Sequence, residues 1–250
     1  KADLYLSDTQ ISLLHGLAFA IFYTFLGIPI ARLADQRSRK LIITTGICVW
    51  SIMTAACGLA GRFSTLFLAR VGVGVGEAAL SPAAYSMISD MFPKNKLGLA
   101  LSLYSSGVYV GAGLAFIIGG LAVEAALKLR MPELPLIGIV DGWQVIFFIV
   151  GLPGLLVALL MLTVKEPARA KTASKDSYYG LTYIFQFIAK EPATFLLHFI
   201  GYSLLGLIFN TFLAWAPTFF IRAYSLSAGE VGPLLGILIL IFGGSGMVVG

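Results

Sequence analysis

Long apolar runs alternate with short polar turns along the whole chain. Seven runs stand out, at 10–31, 41–61, 65–89, 97–122, 143–164, 193–221 and 230–250. Each is near or above the ~20 residues that carry a helix across about 30 Å of hydrocarbon. Lipid offers no hydrogen bonds to the backbone, so runs of this kind must close their own as helices. The pattern predicts an all-α polytopic membrane protein. The longest polar stretch, 165–180, opens Lys165-Glu166-Pro167 and reads as a linker between two groups of spans. Beyond it, Leu181, Ile184, Phe185 and Ile188 give 181–190 the pattern of a short amphipathic helix at the interface. The 123–142 connection contains Pro132 and Pro135, whereas 61–64 is short enough to make spans two and three a hairpin.

Composition agrees: 58% of residues are hydrophobic and 12% charged, against about 25% charged in soluble domains. A signal peptide is one short apolar stretch, which seven long ones exclude. The net charge of +5 points to topology rather than to nucleic acid. If every run spans, eleven Lys and Arg residues fall on one side and five on the other. The richer side holds Arg32, Arg37, Arg39, Lys40, Lys94, Lys96 and the 165–190 group, and the positive-inside rule makes it cytoplasmic. Residues 1–8 then lie outside. Cys48 and Cys57 share one span, with neither a disulfide framework nor a zinc spacing.

Residues 6–27 and 226–247 share six identities in 22 positions, including Leu6-Ser7 with Leu226-Ser227 and Gly16 with Gly236. Both copies begin in an outer loop and enter an inward-going span. An even number of spans separates them, so the repeat is parallel, as between the two halves of some transporters. A six-helix unit would place one further helix before Lys1 and several after Gly250. The expected partition is 1–164 as an N-terminal bundle, 165–191 as linker and 192–250 as the start of a second bundle.

Two stretches carry candidate chemistry. The first is Ala31-Arg32-Leu33-Ala34-Asp35-Gln36-Arg37-Ser38-Arg39-Lys40, between spans one and two. A carboxylate at Asp35, straight after an apolar helix, can pair with Arg39 or cap a helix N-terminus. The second is Arg70-Val71-Gly72-Val73-Gly74-Val75-Gly76-Glu77 in the third run. Arg70 and Glu77 are seven apart and share a helix face. A charge at that depth costs about 2.5–3.5 kcal/mol on insertion scales, so such residues face a cavity or a partner. They read as a proton-titrating or substrate-binding pair, against a purely structural ion pair. The glycines do not form a nucleotide loop, since no strand precedes them and Glu77 stands where a third glycine would. Gly72 and Gly76 form a small-residue face for close helix contact.

The first stretch resembles the signature loop of the major facilitator superfamily, through Asp35, Arg39 and Lys40. It departs at Ala31 and Ser38, where glycines are usual. Arg70 and the tail Ser89-Asp90-Met91-Phe92-Pro93 resemble that family's fourth helix. The wording Arg-x-Gly-x-Gly-x-Gly-Glu-Ala, then Ser81-Pro82 and Tyr104-Ser105-Ser106-Gly107, resembles the Spinster branch, which moves sphingosine-1-phosphate and lysophospholipids. The resemblance implies a major facilitator fold, with the chain covering about helices 2–8 of 12. It implies a secondary active transporter, not an enzyme, coupled to protons and needing no cofactor or metal. Substrate and proton contacts are expected at Arg70, Glu77, Ser81, Tyr109 and Asn210. Tyr109 can instead be a packed aromatic, and Asn210 an interhelical hydrogen bond. Cytoplasmic gate contacts are expected at Asp35, Arg39, Lys40 and Asp90. His15 and His198, both within spans, read as packing residues.

The expected substrate is an amphipathic lipid-like molecule or organic anion, with a small organic or sugar acid as the alternative. The expected setting is a monomer in a bacterial inner membrane. A seven-helix receptor or retinal pump is the weaker alternative, since the pump's lysine is missing from the late spans and the signature loop has no role there. No G-x-S-x-G or H-E-x-x-H supports an embedded enzyme.

Overall fold

A computed structural model of the chain describes residues 4–128, 133–134, 138–139, 141–169 and 181–249. All seven predicted runs form helices long and apolar enough to cross a membrane. Several are built in two pieces. The first is α1 (Asp8–His15) and α2 (Leu17–Gln36), meeting at Gly16. The second is α3 (Arg39–Cys57). The third is α4 (Phe63–Glu77) and α5 (Leu80–Met91). The fourth is α6 (Lys94–Lys128). The fifth is α7 (Gly142–Gly151) and α8 (Pro153–Thr163). The amphipathic segment is α9 (Leu181–Ile188) and the sixth span is α10 (Pro192–Tyr224). The last is α11 (Ala228–Leu238), a π turn (Ile239–Gly243) and α12 (Gly244–Val249).

Proline explains two of the breaks. Its ring clashes with the carbonyl four residues back and it donates no backbone hydrogen bond. Pro82 stands four residues after Ala78, where α4 gives way to α5, and Pro153 opens α8. Pro29, Pro217 and Pro233 are carried inside helices. The 123–142 connection is shorter than expected, because α6 runs on to Lys128. It also holds a two-residue antiparallel ladder, Glu133 opposite Ile139 and Leu134 opposite Gly138. Most of the linker, 170–180, lies outside the described residues.

Two units are formed, Lys1–Ala168 with Ser227–Gly250, and Arg169–Leu226. In the second, α10 exposes Leu197, Leu205 and Ile208 by 66–71%, an apolar surface fit for lipid rather than water. In the first, α3 is the centre, packed on by α4, α5, α7 and α8, while α2 lies against α4. One buried cluster joins Ala34, Ile43, Ile47, Ala83, Met87 and Ala158 from α2, α3, α5 and α8. Another joins Leu14, Cys57, Leu66 and Ala69. Cys57 is buried and Cys48 half-buried, both free.

Small residues set the close contacts, as expected where apolar burial alone cannot drive helices together. A β-carbon on Gly76 would fall 2.5 Å from the Trp50 nitrogen and 2.8 Å from the Gly46 oxygen of α3. One on Gly74 would fall 2.6 Å from the Phe19 oxygen of α2. The alternating glycines of α4 therefore serve two neighbours at once. The last span lies along α6 in the same way. A β-carbon on Gly120 would fall 2.6 Å from the Ala228 oxygen and 2.8 Å from the Gly232 α-carbon.

The repeat seen in the sequence has a physical counterpart. Ser7 caps α1 in a capping box with Gln10, and Ser227 caps α11 in a capping box with Glu230. The two boxes occupy equivalent repeat positions.

Gly120→Leu is expected to destabilise the protein by about 1–3 kcal/mol, because rigid backbone leaves the added atoms no room. Gly119→Ala, which meets nothing within 4 Å, should leave the melting temperature unchanged or raise it. Thermal unfolding of the full-length protein in detergent checks both.

Candidate functional site

The end of the first unit where α2 meets α3 is organised around Arg39, whose side chain is 1% exposed. A buried guanidinium needs every donor satisfied and a countercharge nearby. Three elements supply them. From α5, Asp90 pairs with Nη1. Ser86 accepts from Nη1 through its carbonyl at 3.2 Å and its hydroxyl at 3.1 Å. From the segment after α8, Glu166 Oε1 accepts from Nε at 3.4 Å and the Pro167 carbonyl accepts from Nη2 at 2.9 Å.

Glu166 also caps α3. It accepts the Arg39 backbone N–H at 2.8 Å and the Ser38 hydroxyl, while Ser38 accepts the Leu41 N–H at 3.3 Å. These are the two roles expected of Asp35. Glu166 and Asp90 fill both roles in the structure, while Asp35 itself is exposed in the last turn of α2 and makes an interaction of its own. Lys40 donates to the Leu162 carbonyl at 3.3 Å, binding the start of α3 to the end of α8. Arg39, Lys40 and Asp90 belong to this network.

The second constellation lies deeper. Arg70 and Glu77 lie on the Gly74 stripe of α4, which faces α1 and α2. The Arg70 Nε donates to the Leu14 carbonyl at 3.4 Å, next to the α1–α2 junction. Both charged side chains are half-buried, and they do not pair with each other. Glu77 is the last residue of α4, at the joint with α5.

One turn further on, Ser81 lines a cavity of about 340 Å³ between α2 and the α4–α5 joint. Tyr23, Thr24, Pro82 and Tyr85 share that lining. The Tyr85 ring meets Tyr104 of α6 edge-on, with centroids 5.3 Å apart. Hydroxyls and aromatic faces thus border an otherwise apolar space. Tyr23, Thr24 and Tyr85 were not singled out from sequence. For Tyr85 the signal was its four-residue spacing from Ser81 and Ser89; Tyr23 and Thr24 are an adjacent polar pair inside an apolar run.

The remaining candidates lie elsewhere. Tyr109 packs against the π turn, where a β-carbon on Gly243 would fall 3.0 Å from its Cγ. Asn210 belongs to the second unit and donates to the Gly206 carbonyl of its own helix at 2.8 Å. His15 is exposed, and His198, also exposed, stacks on Tyr202 of the same helix.

The model of the Major Facilitator Superfamily matches residues 1–250. The chain belongs to that superfamily. It is 34% identical, with a TM-score of 0.78, to a crystal structure of a bacterial homolog of the human lysosomal transporter Spinster, inward-facing and unoccupied. That match covers 95% of this chain and 53% of the other. It is 27% identical to an MFS-type efflux pump of Mycolicibacterium smegmatis, covering all of this chain and 54% of the pump. It is 29% identical to protein spinster homolog 1 of Bos taurus, over 88% of this chain and 41% of that protein. The chain thus spans about half the length of these relatives. As a superfamily member with seven spanning helices, it is a multi-pass integral membrane protein resembling the Spinster branch.

The Arg39 network generates graded expectations. Asp90→Asn removes one countercharge from a buried cation and should cost about 3 kcal/mol, the lower end for breaking a buried pair. Glu166→Gln keeps its shape and one acceptor and should cost about 1.5 kcal/mol. Burial pushes the Glu166 carboxyl up, but hydrogen bonds from Ser38, Arg39 and Lys40 outweigh it and hold the group below its ordinary range. Its stabilisation is therefore complete above about pH 4.3, the usual glutamate value. It is lost as pH falls through the depressed folded-state value. Acid unfolding of Glu166→Gln should be correspondingly shallower than that of the parent.

Proposed function

We propose that the chain forms part of a secondary active transporter working by alternating access, proton-coupled, and carrying an amphipathic lipid-like or organic-anion substrate. The observation that carries this is two half-buried charges, Arg70 and Glu77, on one stripe of α4 with no salt bridge between them, Glu77 directly preceding the Ala78 that lines the cavity bordered by Ser81 and tyrosines. A structural ion pair would bring the two charges together. Without a direct salt bridge, each can do separate work. Arg70 keeps its charge under all conditions and suits an anionic head. Glu77 is the group that exchanges a proton. The apolar and aromatic lining suits the rest of an amphipath.

In this reading residues 1–164 belong to the first half, 165–191 form the linker and 192–250 open the second half. The contact of α11 on α6 then lies where the halves meet. Arg39, Lys40 and Asp90 would brace the cytoplasmic gate, with Glu166 as a fourth member. Tyr109, packed beside the π turn, would report movement between α6 and the last span. Asn210 would offer a polar group from the second half. The efflux pump and the Spinster homolog are bacterial, which supports a bacterial plasma membrane.

The test is uptake by the full-length protein in proteoliposomes under an imposed inward proton gradient, with a lysophospholipid and a small organic anion as alternative probes. Glu77→Gln should abolish gradient-driven uptake while leaving exchange without a gradient. Arg70→Gln should weaken binding of the transported probe about tenfold, the loss of one charged hydrogen bond. Gradient-driven uptake that survives Glu77→Gln would sink the proton assignment.

A further inference from the structure

A second, larger cavity lies on another side of α4. There α4 packs against both α2 and α3, whereas α2 and α3 scarcely touch each other. The groove between them encloses about 500 Å³. Its small lining residues are Gly46, Gly76 and Ala79, and its larger apolar ones include Ile30 and Leu33 from α2 and Leu41 and Val49 from α3. Leu33 is 46% exposed and Leu41 55%, so the described residues leave the groove open.

Its polarity is confined largely to one end. Arg37 and Ser38 stand at the cytoplasmic mouth. Below them the lining is apolar except for Thr45, which is exposed. Along α3, Ser38 to Val49 is about 16 Å at 1.5 Å per residue. One leaflet of hydrocarbon is about 15 Å deep. Around the end of α2, Arg32 and the C-cap Arg37 outnumber Asp35, and all three are exposed. A soluble anion would find a cation here but gain nothing from walls of this length. A cation at headgroup level above one leaflet's depth of apolar wall matches a single class of ligand.

We propose that this groove seats an anionic phospholipid of the cytoplasmic leaflet, its phosphate on Arg37 and one acyl chain along α3 from Leu41 to Val49. The seat is distinct from the Ser81 cavity. It uses Val75, Gly76 and Ala79 of the third span, where the Ser81 cavity uses Ala78, Ser81 and Pro82. It does not depend on the transported substrate. A lipid held there would keep α2 and α3 apart at their cytoplasmic halves, next to the Arg39 network.

The experiment is native mass spectrometry of the full-length protein, equilibrated with phosphatidylglycerol or phosphatidylcholine of the same chain length. Phosphatidylglycerol should be retained about fivefold better, the factor one arginine contributes near an anionic surface. Arg37→Gln should make the two lipids equal. Thr45→Trp, which fills the groove from an exposed position, should remove one bound copy of either lipid. A spin label at Thr45→Cys, in a cysteine-free background, should be relaxed by membrane-dissolved oxygen. Equal retention of both lipids by the parent protein would overturn the proposal, as would a preference that survives both Arg37→Gln and Thr45→Trp. An oxygen-shielded label would overturn it too, since another part of the polypeptide would then occupy the groove.

Discussion

A single buried cation governs the cytoplasmic end of this fold. Arg39 is sealed from solvent, and an isolated charge there would cost several kcal/mol. The chain avoids that cost only by bringing α5 and the segment after α8 to the start of α3. Residues 51 and 127 positions away in sequence are fixed by one guanidinium. The requirement is directional as well as electrostatic. Nε, Nη1 and Nη2 each reach a different acceptor, so the three elements are set in angle and not merely held close.

The spans were legible because the bilayer leaves the backbone no alternative to helix. Their interruptions were less so. Pro82 and Pro153 broke their runs while Pro29, Pro217 and Pro233 did not. The linear pattern does not contain the difference, since all five prolines stand within apolar runs. Likewise Asp35 stood out because it lay inside a positive cluster, whereas Glu166 looked like one charge among many in a polar linker. The fold chose Glu166 because it follows α8, which packs on α3 and returns to its N-terminus. Helix faces were readable: Gly72 and Gly76 meet α3, as their spacing required. Which second helix each face would meet was not, and so the packing of Tyr109 on the π turn did not show in the sequence.

The repeat shows the same logic from another side. Identities between 6–27 and 226–247 are few, yet both copies keep the serine and the amide- or acid-bearing residue that close a capping box. Apolar positions drift because many side chains fill a lipid-facing surface equally well. The cap does not drift so freely, since it answers two backbone N–H groups at a fixed point.

The joint between α4 and α5 carries one more consequence. A continuous helix would transmit push and twist from the outer surface to the cytoplasm as a rigid rod. Interrupted at Ala78 and Ala79, the span becomes two levers with a fulcrum in the hydrocarbon and Glu77 on the pivot. Asp90 lies about 17 Å from the pivot, near the end of the second lever, at 1.5 Å per residue. A tilt of about 10° at the pivot would swing it some 3 Å, about the length of one hydrogen bond. An angular change too small to disturb packing at the joint is thus amplified, at the far end of α5, into the making or breaking of the Arg39 contact.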